Sequence, residues 1–181
     1  MDIFQQDLAL HPQWLDRLFA HKSKTRAIFR DVLTLHEVNH IAINYVTASN
    51  TLLTLSSTPS LEYNLLSGRL WRFDNTYNPE WFKQCNHASW QSLYSAERYD
   101  ELYYIKQIKP RYPLGLSIAT LFENAYIIYS IASASDSDYT REIFSTKHDE
   151  LLKLGQYCAT HLFSLLTDTE EIRAPNTVGI L

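Results

Sequence analysis

The hydrophobic pattern of this chain changes period at Ile41, and that change limits what the chain can fold into more than any other feature. Before it, Ile28, Val32 and Leu35 return at helical intervals on one face, with Phe29 and Leu33 beside it. After it the interval is two: Ile41, Ile43 and Tyr45 point to one side, and Ala42, Asn44 and Val46 to the other, the alternation of a strand. Ser49-Asn50 then supplies turn chemistry, and residues 51–57, TLLTLSS, read as a second strand. A helix handing over to a β-hairpin is therefore expected, with His36 closing the helix and His40 opening the strand.

The rest of the chain extends this order. Upstream, Leu8, Trp14, Leu15, Leu18 and Phe19 cluster on one side of a first helix that His11-Pro12 interrupts. Residues 59–112 form a long insertion, helical in pieces: SLEYNLL after Pro59, EWFKQC after Pro79, and SAERYDELYYIKQI over 95–108, closed by Pro110 and Pro113. A second hairpin follows, LGLSIATLF and AYIIYSIAS, joined through Glu123-Asn124. Ser135 to Asp138 then cap a closing helix over 136–167, in which Leu151, Leu154, Cys158, Leu162 and Leu165 form an apolar stripe. The expectation is one α+β domain over residues 1–168, with a central antiparallel sheet from two β-hairpins, helices on both sides, and a flexible tail at 169–181.

Composition narrows the function classes. A formal net charge of −4 argues against a nucleic-acid surface, which needs a clustered basic face. The densest basic stretch, HKSKTR at 21–26, reads as a solvated helix surface. The first twenty residues carry acids and glutamines where a signal peptide needs an unbroken apolar core, and no apolar run reaches membrane-spanning length, so a cytoplasmic protein without membrane contact is expected. Cys85 and Cys158 read as two reduced thiols.

One chemical motif stands out. His36, Glu37 and His40 spell H-E-x-x-H, which on a helix places two imidazoles on one face for zinc and a glutamate as general base. Cys85, His87 or His161 would have to supply the third ligand. The strand alternation begins directly after His40, which breaks the helical spacing the motif needs. Ser56, Ser57, Ser89 and Ser117 lack a G-x-S-x-G elbow, the 4 glycines form no phosphate loop, and Asp100 and Glu101 diverge on a helix. The expectation is therefore a non-enzyme with no cofactor and no metal; a zinc-dependent metallohydrolase using His36, Glu37 and His40 is the alternative.

The insertion holds three of the 4 tryptophans and a run of tyrosines. Aromatic side chains with polar tips can wall a ligand cavity. Tyr45, Tyr63, Trp71, Trp81 and Trp90 are the candidate walls of a site between the sheet and residues 59–108. From about residue 25 to 166, the order of elements, the stretch LSSTPS after the second strand and the GLSIA opening of the next hairpin together resemble the autoinducer-binding domain of LuxR-type regulators, a GAF/PAS-like α/β sandwich. The resemblance implies a sensor for a small apolar or amphipathic ligand, acting by population shift on a regulatory protein partner; the extended apolar stripe of the closing helix leads to the expectation of a homodimer through that helix or with the first helix. The chain departs from the family's P-x-x-W-x-x-x-Y pattern: Pro59 is followed by Ser60, Leu61, Glu62 and Tyr63, while NPEWFKQC carries Trp81 but Cys85 in the tyrosine position. The family's Asp-Pro pair before the third strand is replaced by YDELYYIKQIKPRYP. About a dozen residues follow the closing helix, so direct nucleic-acid binding is not expected.

Overall fold

The computed structural model describes residues 8–167. The two hairpins are present: β2 (His40–Val46) with β3 (Thr51–Ser56), and β5 (Leu114–Phe122) with β6 (Ala125–Ser133). Asn50 (φ 60°) and Glu123 (φ 53°) take the left-handed conformation that closes the two turns. The hairpins join through β2 and β6, which pair antiparallel with Ile43 opposite Tyr129. Two short edge strands complete the sheet, β1 (Ala9–Leu10) parallel to β3 and β4 (His87–Ser89) antiparallel to β5, in the order β1-β3-β2-β6-β5-β4.

The α+β class with helices on both sides of the sheet is borne out. Residues at odd positions of β2 and β3, with Ile127, Tyr129 and Ile131 of β6, face a layer made by α2 (Lys22–Val32), α7 (Asp138–Thr146) and α8 (His148–Thr167). Their even-numbered neighbours face the insertion, which carries α3 (Pro59–Leu66), α4 (Pro79–Phe82), α5 (Trp90–Leu93) and α6 (Tyr99–Tyr103). A short α1 (Trp14–Phe19) packs at the β3 edge. Gly155 lets α8 lie directly on the sheet, because a Cβ there would come within 2.4 Å of the Tyr129 ring.

Several boundaries differ from the sequence reading, each for a local reason. The second helix ends at Val32, not His36; Thr34, His36 and Glu37 all have positive φ, and Leu35–Glu37 is a tight turn. The helix after Pro79 stops at Phe82, and Cys85 turns the chain with φ 54°. The closing helix is two helices, because Lys147 leaves the helical region at ψ 42°. Residues 95–108 divide into a 3₁₀ turn, α6 and a π-helical segment, Tyr104–Ile108. The apolar stripe expected to offer a dimer contact is used inside the chain: Leu151, Cys158, Leu162 and Leu165 are buried against the sheet. No helix among the described residues is long and apolar enough to cross a membrane. The tail at 169–181 lies outside the described residues.

Candidate functional site

The two faces of the sheet differ in chemistry. The face toward the insertion carries His40, Asn44, Thr54, Ser56, Ser117 and Ser130, all buried. The strand alternation alone puts them there, since each sits one residue from an apolar side chain that enters the other layer. Burying such groups costs free energy unless each finds a partner. Asn44 Nδ2 donates to the Ile128 carbonyl at 3.0 Å and to Ser130 Oγ at 3.2 Å, and Thr54 Oγ1 donates to Asn44 Oδ1 at 2.9 Å. The Ser117 hydroxyl meets Thr76 Oγ1 at 2.9 Å, tying the sheet to the insertion.

Facing these groups, the insertion supplies a buried ion pair inside an aromatic box. Lys106 Nζ lies 2.7 Å from Asp74 Oδ2, with both side chains essentially inaccessible. The ammonium sits 4.2 Å from the Trp90 ring centre and 5.4 Å from that of Tyr94, a cation–π arrangement. Asp74 is held by the Thr76 amide at 3.0 Å. Tyr94 donates to Gln107 Oε1 at 2.8 Å, and Gln107 Nε2 donates to the Pro113 carbonyl at 3.1 Å. Lys106 and Gln107 are adjacent in sequence yet both buried, which the wider turn of the π segment allows. Trp90 reaches the sheet because Gly115 has no side chain; a Cβ there would meet its ring at 2.1 Å. The indole N–H of Trp90 is buried without a partner among the described residues.

A second polar group stands beside the first. The ring of His40 packs 5.4 Å from Tyr112 and 6.0 Å from Trp90. Its Nδ1 lies 3.0 Å from Thr58 Oγ1, which is 3.1 Å from the Tyr112 hydroxyl. Its Nε2 is 3.2 Å from Glu62 Oε1 but outside hydrogen-bond alignment, while Ser56 Oγ donates to that same oxygen at 3.0 Å. Burial pushes the phenols of Tyr77, Tyr94 and Tyr112 above their ordinary value; Glu62 and Asp74 add to this at Tyr77, Asp74 at Tyr94 and Glu62 at Tyr112. These tyrosines are therefore neutral donors throughout the physiological range. The layer thus offers a carboxylate, an ammonium, neutral hydroxyls and aromatic faces in a water-poor interior, suited to orienting a small molecule.

The sequence candidates separate in space. Trp71 and Trp90 are buried in the insertion layer, Trp71 edge-on to Tyr77 at 6.0 Å, and Trp81 packs against the same layer. Tyr45 belongs to the other layer, edge-on to Phe163 at 6.1 Å, because it shares its face with Ile41 and Ile43. Tyr63 points outward, 43% exposed and against Phe19. His36 and His40 are not on one helical face: His36 Nε2 lies 3.8 Å from the half-exposed Glu150, while His40 is in β2 and buried. No group of three metal-ligating side chains occurs among the described residues. Asp74, Lys106, Glu62 and His40 were not among the sequence candidates for ligand contact. Of these four only His40 carried a signal, as a polar residue at an even position of an otherwise apolar strand.

As it stands, the layer is filled by Trp90 and Lys106, both at most 2% exposed. Open hollows of about 340, 480 and 410 Å³ lie elsewhere: between α1, α2 and the start of α3; between the tip of the β5–β6 hairpin and α8; and beside Leu70 and Tyr104.

No family model and no curated protein matches this sequence. Among solved structures the chain is similar to SdiA in complex with octanoyl-rac-glycerol, at 13% identity over 87% of this chain with a TM-score of 0.56. It is also similar to Escherichia coli SdiA in the space group P6522, at 14% identity over 83% of the chain with a TM-score of 0.51. The matched region spans 64% of the length of each of those chains. SdiA is a LuxR-type autoinducer-binding protein, so the fold implied by the sequence resemblance is the fold found.

Proposed function

We propose that this chain is a non-catalytic regulatory domain that admits a small amphipathic molecule between the polar face of its sheet and residues 59–112, and that a protein partner reads the resulting packing of the insertion. The observation that carries this reading is the Asp74–Lys106 pair enclosed by Trp90 and Tyr94. Paired charges in a protein interior are a weak source of stability, because desolvation offsets their attraction. An orienting role in recognition gives a reason to keep them there. The bound octanoyl-rac-glycerol of the SdiA structure supports the ligand class, an acyl chain with a hydroxylated head.

In this reading the Lys106 ammonium occupies the place of the ligand's polar head in the closed form. The ligand and Lys106 compete for Asp74 and Trp90, and binding shifts the population toward a form with the π segment displaced. Trp71, Trp81 and Trp90 are the sequence candidates that fit such a site. The net charge of −4 favours a protein partner over nucleic acid, and the two unbridged cysteines suit a cytoplasmic location.

Thermal unfolding with octanoyl-glycerol tests the proposal. A ligand at a hundredfold excess over its Kd stabilises the native state by about 2.7 kcal/mol. The expected result is a concentration-dependent rise in Tm, larger for Lys106→Ala, in which the internal competitor is gone. No rise in either protein across acyl-glycerols and acyl amides would overturn the reading.

A further inference from the structure

The hollow between α1, α2 and the start of α3 lies apart from the insertion layer and does not depend on the function proposed for it. It measures about 340 Å³, inside the range of roughly 300–1,000 Å³ found for small-molecule sites. Its floor is apolar, built by Leu18, Phe19, Phe29, Leu33 and Pro59. Its rim is cationic: Lys22, Arg26 and Arg30 recur every four residues along α2, so all three lie on the one helical face that lines it. The lining contains no carboxylate. Within the described residues none of the three cations has an ion-pair partner, and Lys22 instead sits 5.6 Å over the Phe19 ring.

Two further observations point to a ligand. Thr25 lines the hollow, is only 7% exposed, and has its hydroxyl buried without a hydrogen-bond partner. A buried hydroxyl left in that state is unfavourable, so this wall carries an unmet hydrogen-bonding need. The eight-residue α3 begins with Pro59 and Ser60 on the same lining and carries no side-chain cap, and its one first-turn carboxylate, Glu62, is buried on the sheet side with Ser56. The basic stretch HKSKTR, expected to be a solvated surface, contributes Lys22, Thr25 and Arg26 to this wall.

We infer that this hollow is a binding site for a small anionic amphiphile of the carboxylate class, its tail on the Phe19–Phe29–Leu33 floor and its head between the α2 cations and the start of α3. Acyl-glycerols, which are neutral, do not share this chemistry, so the two sites select differently.

Calorimetric titration of the full chain with octanoate, and with methyl octanoate as its neutral counterpart, tests the site. Saturable octanoate binding is expected, weakening with added salt, and lower by about tenfold both for methyl octanoate and for the Arg26→Ala/Arg30→Ala variant. A second variant, Ser60→Trp, fills the hollow from an exposed position and should block octanoate without changing the acyl-glycerol response. Equal affinity for the acid and its ester, or octanoate binding unchanged in both variants, would overturn the inference. Loss of octanoate binding in Lys106→Ala alone would reassign it to the insertion layer and overturn it equally.

Discussion

Adjacent residues of one strand show how differently the two sides of this sheet are built. Ile43 enters an apolar, mainly aliphatic layer between the sheet and α2, α7 and α8, and Asn44 enters a layer beneath the insertion that mixes leucines and indoles with hydroxyls, carboxylates and an ammonium. Both side chains are fully buried. The aliphatic side gains stability from each methylene removed from water, without directional demands. The polar side reaches the same burial only because Asn44, Thr54, Ser130, Ser117 and Thr76 find one another at 2.9–3.2 Å. Both sides bury an apolar core, and the insertion side in addition holds chemical groups in place.

The sharpest way to break this contrast is through the buried pair. Asp74→Ala strands the Lys106 charge and should cost about 3–5 kcal/mol in urea unfolding, whereas Asp74→Leu with Lys106→Met should restore near-native stability. A double variant as unstable as the single would show that this pair serves the fold rather than holding chemical groups in place. Smaller effects come from Ile43 and Asn44. Asn44→Ala leaves Thr54 and the Ile128 carbonyl without their partner and should cost about 2 kcal/mol, against about 1 kcal/mol for Ile43→Val. The reverse ranking would mean that the polar side does not depend on its pairing.

The mildest test uses the two thiols. Cys158 lies in the aliphatic layer, where burial first and the Asp31 charge second push its thiol up to about 12 from an ordinary 9.0, while Cys85 is exposed in the insertion. A thiol reagent should titrate one group in the native protein and both after unfolding. Below pH 9 both states keep the Cys158 proton; above it the unfolded state releases its proton first, so the contribution to stability falls from pH 9 toward 12. That fall should be shallower in Cys158→Ala.

Much of the fold was legible. The alternation through Ile41–Val46 and the two hairpin turns gave four of the strands, because period two is unambiguous over six or more residues. The edge strands Ala9–Leu10 and His87–Ser89 were not legible, since two or three residues carry no period and exist only by pairing with a neighbour. The break at Lys147 has neither Gly nor Pro to announce it. Of the expected cavity walls, Trp71 and Trp90 lie in the insertion layer, whereas Tyr45 lies on the other side of the sheet. Alternation groups Tyr45 with Ile41 and Ile43 without saying which group meets the insertion. The all-apolar company of Tyr45 could have decided it, and the His40–Asn44 side would then have drawn attention to Ser117, Ser130 and Glu62. Lys106 gave no signal, because a lysine in YIKQI reads as the wet side of a regular helix.

That lysine is inward because Tyr104–Ile108 winds with one residue more per turn than its neighbours. Which polar groups sit beneath the insertion is thus set by chain length as much as by side-chain identity. Deleting a single residue there would return the segment to ordinary helical pitch and rotate its flanking residues by about 100° relative to one another. Lys106 or Gln107 would then face water with no letter of the remaining sequence altered.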